Sequence, residues 1–154
     1  MWASIIAVLG TLAGALTAGL LQHRAARAAR AEARADGHRQ DQLGAVTEFA
    51  AALDAHRSAM FHRERLALED AEAEHLMEAQ TRSHDTRSAI TAPHVRLQVL
   101  VPGLSGPAQE AADATYALRR ATDRAELDAL RRAAKEAAAA FVTAAAALLH
   151  PDHH

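Results

Sequence analysis

The chain opens with the stretch MWASIIAVLGTLAGALTAGLLQ, residues 1–22, which contains no charged side chain. At about 1.5 Å per residue, a helix of this length crosses the roughly 30 Å hydrocarbon layer of a bilayer. Its isoleucine, leucine and valine residues each favour insertion by roughly 0.3–0.6 kcal/mol, and the uncharged remainder opposes insertion only weakly. The stretch therefore predicts a single transmembrane helix over residues 1–22.

The charges that flank this segment predict its orientation. No lysine or arginine precedes it, whereas four arginines follow it closely, namely Arg24, Arg27, Arg30 and Arg34. The positive-inside rule then places the C-terminal bulk of the chain in the cytoplasm, attached to the cell membrane by one span. A cleaved signal peptide is the alternative, but the positively charged start of such a peptide is missing.

The same four arginines are spaced by three, three and four residues, so they share about a third of a helix circumference. Within a basic juxtamembrane helix over residues 23–36, this stripe is suited to contact anionic lipid headgroups. Nucleic-acid binding is the alternative for such a stripe. Glu32 and Asp36 interrupt it, however, and no aromatic residue is interleaved for base stacking. We therefore expect no direct base readout.

Small residues share one face of the membrane segment, and bulky residues occupy the opposite face. The small face carries Ala7, Gly10, Gly14 and Ala18, and it includes a Gly-x-x-x-Gly motif. Such a face lets two membrane helices approach closely. The pattern predicts a homo-oligomer formed through the membrane helix, with a chance occurrence of common membrane residues as the alternative.

The rest of the chain predicts an all-α domain. Aromatic residues make up only 3% of the sequence and alanine is abundant, so a core of leucine, valine and alanine in helices is expected. Apolar residues recur every three or four positions from Leu43 to Met60, and residues 64–78 are interpreted as a solvated continuation of that helix. We predict a bundle over residues 37–150 and a histidine-rich tail over residues 151–154.

Prolines and glycines divide the middle of the chain. Residues 83–104 open with a cluster of capping residues, which predicts a helix start at Ser83. Pro93 within this segment either kinks one helix or marks the first turn of a second. Pro107 suits the first turn of a helix over residues 107–120, and Asp123 with Glu126 resembles a capping box that opens the next helix.

The last helix has the clearest periodicity in the chain. Its predicted core face consists of Leu127, Leu130, Ala134, Ala138, Phe141, Ala145 and Leu148. His150 and Pro151 are predicted to end it. Because the connections between helices are short, the helices should pack as antiparallel neighbours in a three- or four-helix bundle behind the membrane helix.

The sequence contains no motif that predicts catalysis or cofactor binding. Cysteine is absent, which excludes thiol nucleophiles and thiolate metal sites. No phosphate-binding loop, dinucleotide fingerprint or nucleophile elbow is present. No two histidines lie four residues apart on a predicted helix, so the cluster of His150, His153 and His154 predicts no native metal site. We expect a non-enzyme without cofactors, with His56 as a hydrogen-bonded core histidine.

One polar cluster stands beside apolar residues around Pro93. It includes His84, Arg87, Thr91 and His94. Such a cluster can line an interface or a small pocket, and a buried helix contact with satisfied polar groups is the alternative interpretation.

Two stretches carry a family resemblance: MWASIIAVLGTLAGALTAGLLQHRAARAAR, residues 1–30, and HDTRSAITAPHVRLQVLVP, residues 84–102. Together they resemble the kilB-like small membrane proteins of actinobacteria. The resemblance implies a link to the spread of conjugative plasmids, and it implies neither an enzyme activity nor specific functional residues.

The residues and the resemblance favour a membrane-anchored helical interaction protein, oligomeric and involved in plasmid spread. Its expected partners are the lipid bilayer, further copies of the chain and an unidentified protein. A membrane-anchored sensor that binds a small ligand near Pro93 is the first alternative. Assembly of the first helix into a pore is the second.

Overall fold

The computed structural model describes residues 2–149, with the side chains of residue 22, residues 26–27 and residues 29–149. This part of the chain forms four α-helices and two short 3-10 helices, and it contains no strand. The α-helices are α1 (Trp2–Leu68), α2 (Ala73–Leu100), α3 (Ser105–Tyr116) and α4 (Arg124–Leu149). The 3-10 helices are Pro102–Leu104 and Ala117–Arg120. The predicted all-α class is confirmed.

The chain divides into two compact units, Met1–Gln40 and Asp41–His154. α1 contributes residues to both units. In the first unit, all side chains of residues 29–40 are exposed. The second unit holds the helical bundle. The predicted domain limits after residues 22 and 36 stay predictions.

The predicted membrane segment falls largely outside the described side chains. The backbone of α1 is helical from Trp2 onward, but of the side chains in residues 1–22 only that of Gln22 is described. Among the residues that the structure describes in full, no helix is long and apolar enough to cross a membrane. The transmembrane helix over residues 1–22 therefore stays a prediction.

α1 ends where the sequence predicts a continuous helix. The amide of Ala71 donates a hydrogen bond to the carbonyl of Leu66 (3.1 Å), and Asp70 adopts a positive φ of 48°. This is the geometry of a helix C-terminus that is closed by a left-handed residue. The prediction that residues 64–78 continue the helix is wrong, because the chain reverses direction between Leu68 and Ala73.

α2 begins ten residues before the predicted start at Ser83, which instead lies buried in the middle of the helix. There the Ser83 hydroxyl contacts the sulfur of Met60 at 3.1 Å, so it caps nothing. Pro93 lies inside α2, which settles the two alternatives in favour of one helix. Since proline has no amide hydrogen, α2 lacks one backbone hydrogen bond at this point.

α3 and α4 begin close to the predicted positions. Pro107 lies in the first turn of α3, although α3 ends at Tyr116 and a 3-10 helix carries the chain to Arg120. Before α4, the amide of Glu126 donates to the carboxylate of Asp123 at 2.8 Å. The Glu126 carboxylate in turn accepts hydrogen bonds from the amide and hydroxyl of Thr122 at 2.8 and 2.7 Å. These reciprocal bonds satisfy free donors at the helix start.

The buried faces agree with most of the predicted periodicity. α1 buries Phe49, Leu53, His56 and Met60, whereas Leu43 is 39% exposed. α4 buries Leu127, Ala134, Phe141, Ala145 and Leu149. Leu148 was predicted in the core but is 50% exposed, because Leu149 takes the core position four residues after Ala145. The Leu148 side chain lies beside Gly103 instead.

Contacts between α1 and α2 show that these helices are antiparallel. Gln42 donates to the carbonyl of Leu100, and nearer the turn Met60 contacts Ser83. α3 packs mainly against α4. One buried cluster is centred on Phe49, Leu97 and Phe141, and a second on Met60, Leu118 and Leu127.

Candidate functional site

The four residues of the predicted interface lie along one side of α2. His84, Arg87 and Thr91 are exposed, and His94 is half-buried with its ring centroid 5.1 Å from that of Phe49. The Arg87 guanidinium lies 5.0 Å from the centre of the Tyr116 ring. The clefts described below are lined by other residues, so the role of these four stays a prediction.

The predicted membrane and lipid contacts lie mostly outside the described side chains. This holds for Ala7, Gly10, Gly14 and Ala18, and also for Arg24. Arg27, Arg30 and Arg34 are exposed on α1. Exposure is consistent with contact to a charged surface, and the headgroup contact stays a prediction.

A buried polar cluster joins the middle of α1 to α2. His56 is 1% exposed, and its Nδ1 lies 3.0 Å from the hydroxyl oxygen of Thr86. The Thr86 hydroxyl also lies within hydrogen-bond distance of the carbonyls of Arg82 (2.9 Å) and Ser83 (3.1 Å). Because that hydroxyl has one proton to donate to a carbonyl, we assign the ring proton to Nδ1 of His56.

This environment keeps the His56 ring neutral. Burial, together with the nearby positive charges of Arg87 and Arg63, lowers the pKa of His56 from 6.5 to about 4. The other ring nitrogen, Nε2, is buried and has no hydrogen-bond partner among the described residues. The position of His56 in the core, predicted from the sequence, is confirmed, and its ring is closed to a substrate from solvent.

A groove runs along the α1–α2 interface next to this cluster. It consists of two adjoining clefts of about 280 and 350 Å³, both lined by His62 of α1 and Arg82 of α2. His75 and Glu78 stand on the α2 wall near the turn. We call this the His62 groove. Among the described residues, no three histidine or carboxylate side chains are grouped so that they could hold a metal ion.

The sequence reasoning missed the His62 groove. His62 and His75 are thirteen residues apart, and this spacing carries no helical signal. They face each other only because the chain reverses at Asp70. The turn aligns His62 with the first turn of α2, and the sequence reasoning did not predict this turn.

The fold makes the chain an all-α protein with a long first helix and an antiparallel helical bundle. A family described as KilB plasmid transfer protein matches residues 43–149, and the chain belongs to that family. Protein KilB of Streptomyces lividans is 50% identical over 146 residues, which cover 95% of this chain and 97% of that protein. The kilB-like resemblance is confirmed. No solved structure matches the chain.

Proposed function

We propose that the chain is a membrane-anchored adaptor for plasmid transfer, held in the bilayer by residues 1–22 and bound to a protein partner through its bundle. The match to Protein KilB carries this proposal. It covers 146 of 154 residues, so only eight lie outside it and it extends into the uncharged N-terminal segment. The relative thus carries counterparts of both the N-terminal segment and the bundle in one chain.

The charge distribution supports a cytoplasmic bundle. Arginines occur only on the C-terminal side of residues 1–22, which is the arrangement of a span with its C-terminal end inside. Arg24 and the exposed Arg27, Arg30 and Arg34 would then lie at the inner headgroup layer. Each such arginine contributes about 1 kcal/mol of attraction to an anionic membrane surface.

The small face of the membrane segment supports self-association. With Gly10 and Gly14 on one face, two copies of the helix can bring their backbones together in the bilayer. An oligomer would present several bundles side by side, and multivalent attachment to a partner strengthens weak individual contacts.

The outer face of α2 supports a protein partner. His84, Thr91, Val95 and Val99 recur there at helical spacings, and Val95 and Val99 are 54% and 74% exposed. Exposed aliphatic side chains beside polar groups are typical of a protein-binding surface. We propose this adaptor role in place of an enzyme activity, because the one buried histidine among the described residues is neutral and closed to solvent.

Topology tests the membrane part of the proposal. One C-terminal fusion carries a reporter that is active only in the cytoplasm, and a second carries one that is active only after export. We expect the cytoplasmic reporter to be active and to sediment with membranes. Replacement of the four arginines by glutamate should reduce that orientation, because the charge asymmetry is lost. An exported, soluble product would show that residues 1–22 are a cleaved signal peptide.

An assay of plasmid transfer tests the partner surface. The double substitution Val95→Glu with Val99→Glu should reduce transfer at least tenfold while the protein stays in the membrane fraction. The matched control is Val142→Glu, at an exposed valine of α4 (50% exposed). If the original chain, the double variant and the control support equal transfer frequencies, the outer face of α2 is not the partner surface.

A further inference from the structure

The His62 groove combines an apolar base with polar and charged walls. Ala59, Leu66 and Ala79 supply apolar surface, and Arg82 lines both clefts of the groove. The combined size of the clefts suits a small molecule, since ligand pockets span roughly 300–1,000 Å³. The groove therefore has the dimensions of a ligand site, and its α2 wall carries the charged side chains of Arg82 and Glu78.

Arg82 has no ion-pair partner within the described part of the chain. Arg57, Arg63, Arg96 and Arg124 each pair with a carboxylate there, whereas no carboxylate oxygen lies within 4.0 Å of the Arg82 guanidinium. Glu78 stands one helical turn away on the same wall and is the one carboxylate that lines the groove. Because no ion pair with the described residues occupies its guanidinium, Arg82 presents a planar array of hydrogen-bond donors to the open space.

His62 faces Arg82 across the groove with a defined donor. The Nη2 of Arg65 lies 3.4 Å from Nδ1 of His62, and a guanidinium can only donate, so Nδ1 accepts. In the neutral ring the proton then lies on Nε2, which leaves a hydrogen-bond donor for a ligand. This contact places the guanidinium of Arg65 beside the groove as a second cation. Its buried Nε has no hydrogen-bond partner among the described residues.

We propose that the His62 groove binds the dianionic phosphate group of a small phosphate monoester. Arg82 provides the fork of donors that matches phosphate oxygens, and His62 provides a donor from the opposite helix. Arg65 acts as a positioning residue, because it fixes the proton of His62 on Nε2. The two guanidinium groups outweigh the single carboxylate of Glu78, so an anion is favoured over a cation. The apolar base receives the ester group.

Equilibrium dialysis of the detergent-solubilised chain tests this site. Radiolabelled inorganic phosphate and phenyl phosphate serve as probes, with ionic strength held constant by sodium chloride. We expect saturable binding at one site that chloride does not displace. Tighter binding of phenyl phosphate than of phosphate assigns the apolar base to the ester, and equal binding assigns the site to free phosphate.

Variants locate the binding. Arg82→Gln should weaken phosphate binding at least tenfold, and His62→Leu should weaken it several-fold. Both positions are exposed, so circular dichroism should show unchanged helix content. The matched control Arg132→Gln alters an exposed arginine of α4 and should bind as the original chain does. The proposal is overturned if binding is not saturable, or if Arg82→Gln binds phosphate as tightly as Arg132→Gln. Neither result depends on membrane topology.

Discussion

The α3–α4 interface and the α1–α2 interface are built from different chemistry. α3 presents Ala108, Ala111 and Ala112 to the core, each at most 2% exposed. The α1–α2 interface instead buries His56 and Ser83 and uses hydroxyl and imidazole contacts between the helices. One interface thus packs small side chains closely, and the other adds side-chain hydrogen bonds to its apolar contacts.

The difference predicts where the pH dependence of stability is concentrated in the bundle. Alanine loses no side-chain entropy on burial and leaves little space between helices. The His62 groove lies along the α1–α2 interface, beside its buried polar side chains. Changes of side-chain volume should therefore affect stability mainly at the α3–α4 interface. Changes of charge should affect it mainly at the α1–α2 interface.

Truncation of Phe141 should give the largest loss of stability. Phe141 is 1% exposed, and its ring packs edge-on against Phe49 with centroids 5.2 Å apart. The alanines around it cannot fill the space that its ring leaves. Phe141→Ala should lower the free energy of unfolding by about 3–5 kcal/mol in urea denaturation of the detergent-solubilised chain. The neighbouring exposed Val142→Ala is the control and should change it by less than about 0.5 kcal/mol.

Acid should weaken the polar interface through His56. The folded-state pKa is about 4 and the model-peptide value is 6.5, so between these pH values the unfolded chain binds a proton that the folded chain does not. Stability therefore falls as pH decreases through this window. The loss at this one site reaches about 3 kcal/mol below pH 4.

His56→Leu isolates this contribution from that of the carboxylates. Leucine has a similar volume, and the Thr86 hydroxyl keeps its bonds to the carbonyls of Arg82 and Ser83. Urea denaturation at pH 7 and pH 4.5 should show a smaller acid loss for the variant than for the original chain. An identical pH dependence in the two proteins would contradict the assignment of the proton to the unfolded state.

Added volume should disturb the alanine interface. Ala111 is fully buried in α3, so the larger side chain of Ala111→Leu must displace α4 or adopt a strained rotamer. We expect a loss of about 1–3 kcal/mol in the free energy of unfolding. Ala140→Leu places the same side chain at an exposed position of α4 and should be nearly neutral. If Ala111→Leu and Ala140→Leu lower the free energy of unfolding equally, close packing around Ala111 does not explain the loss.

Periodic segments with clear ends were predictable from the sequence. The capping residues Asp123 and Glu126 placed the start of α4, because their side chains satisfy free amides at that helix end. The same reasoning misplaced the start of α2 at Ser83. A serine inside a helix and a serine at its start look alike in sequence, and only the partner, here Met60, distinguishes them.

The candidate site was less predictable, because it depends on contacts between distant residues. The core position of His56 follows from the spacing in α1, but its partner Thr86 is thirty residues away. The His62 groove requires knowledge of the turn near Asp70. Acidic residues on both sides of that turn conceal it, since they fit a solvated helix as well as a loop.

The smallest predicted effect concerns this turn, which sets the register between α1 and α2. Asp70 has a φ of 48°, and its carboxylate lies at the C-terminal end of α1, where the helix dipole disfavours negative charge. Asp70→Gly relieves both costs and should raise the free energy of unfolding by about 0.5–1 kcal/mol. Asp70→Ala removes the charge but keeps the strained backbone. It should therefore raise the free energy of unfolding by less than Asp70→Gly does. If alanine stabilises the chain as much as glycine does, charge rather than backbone conformation limits stability at this turn.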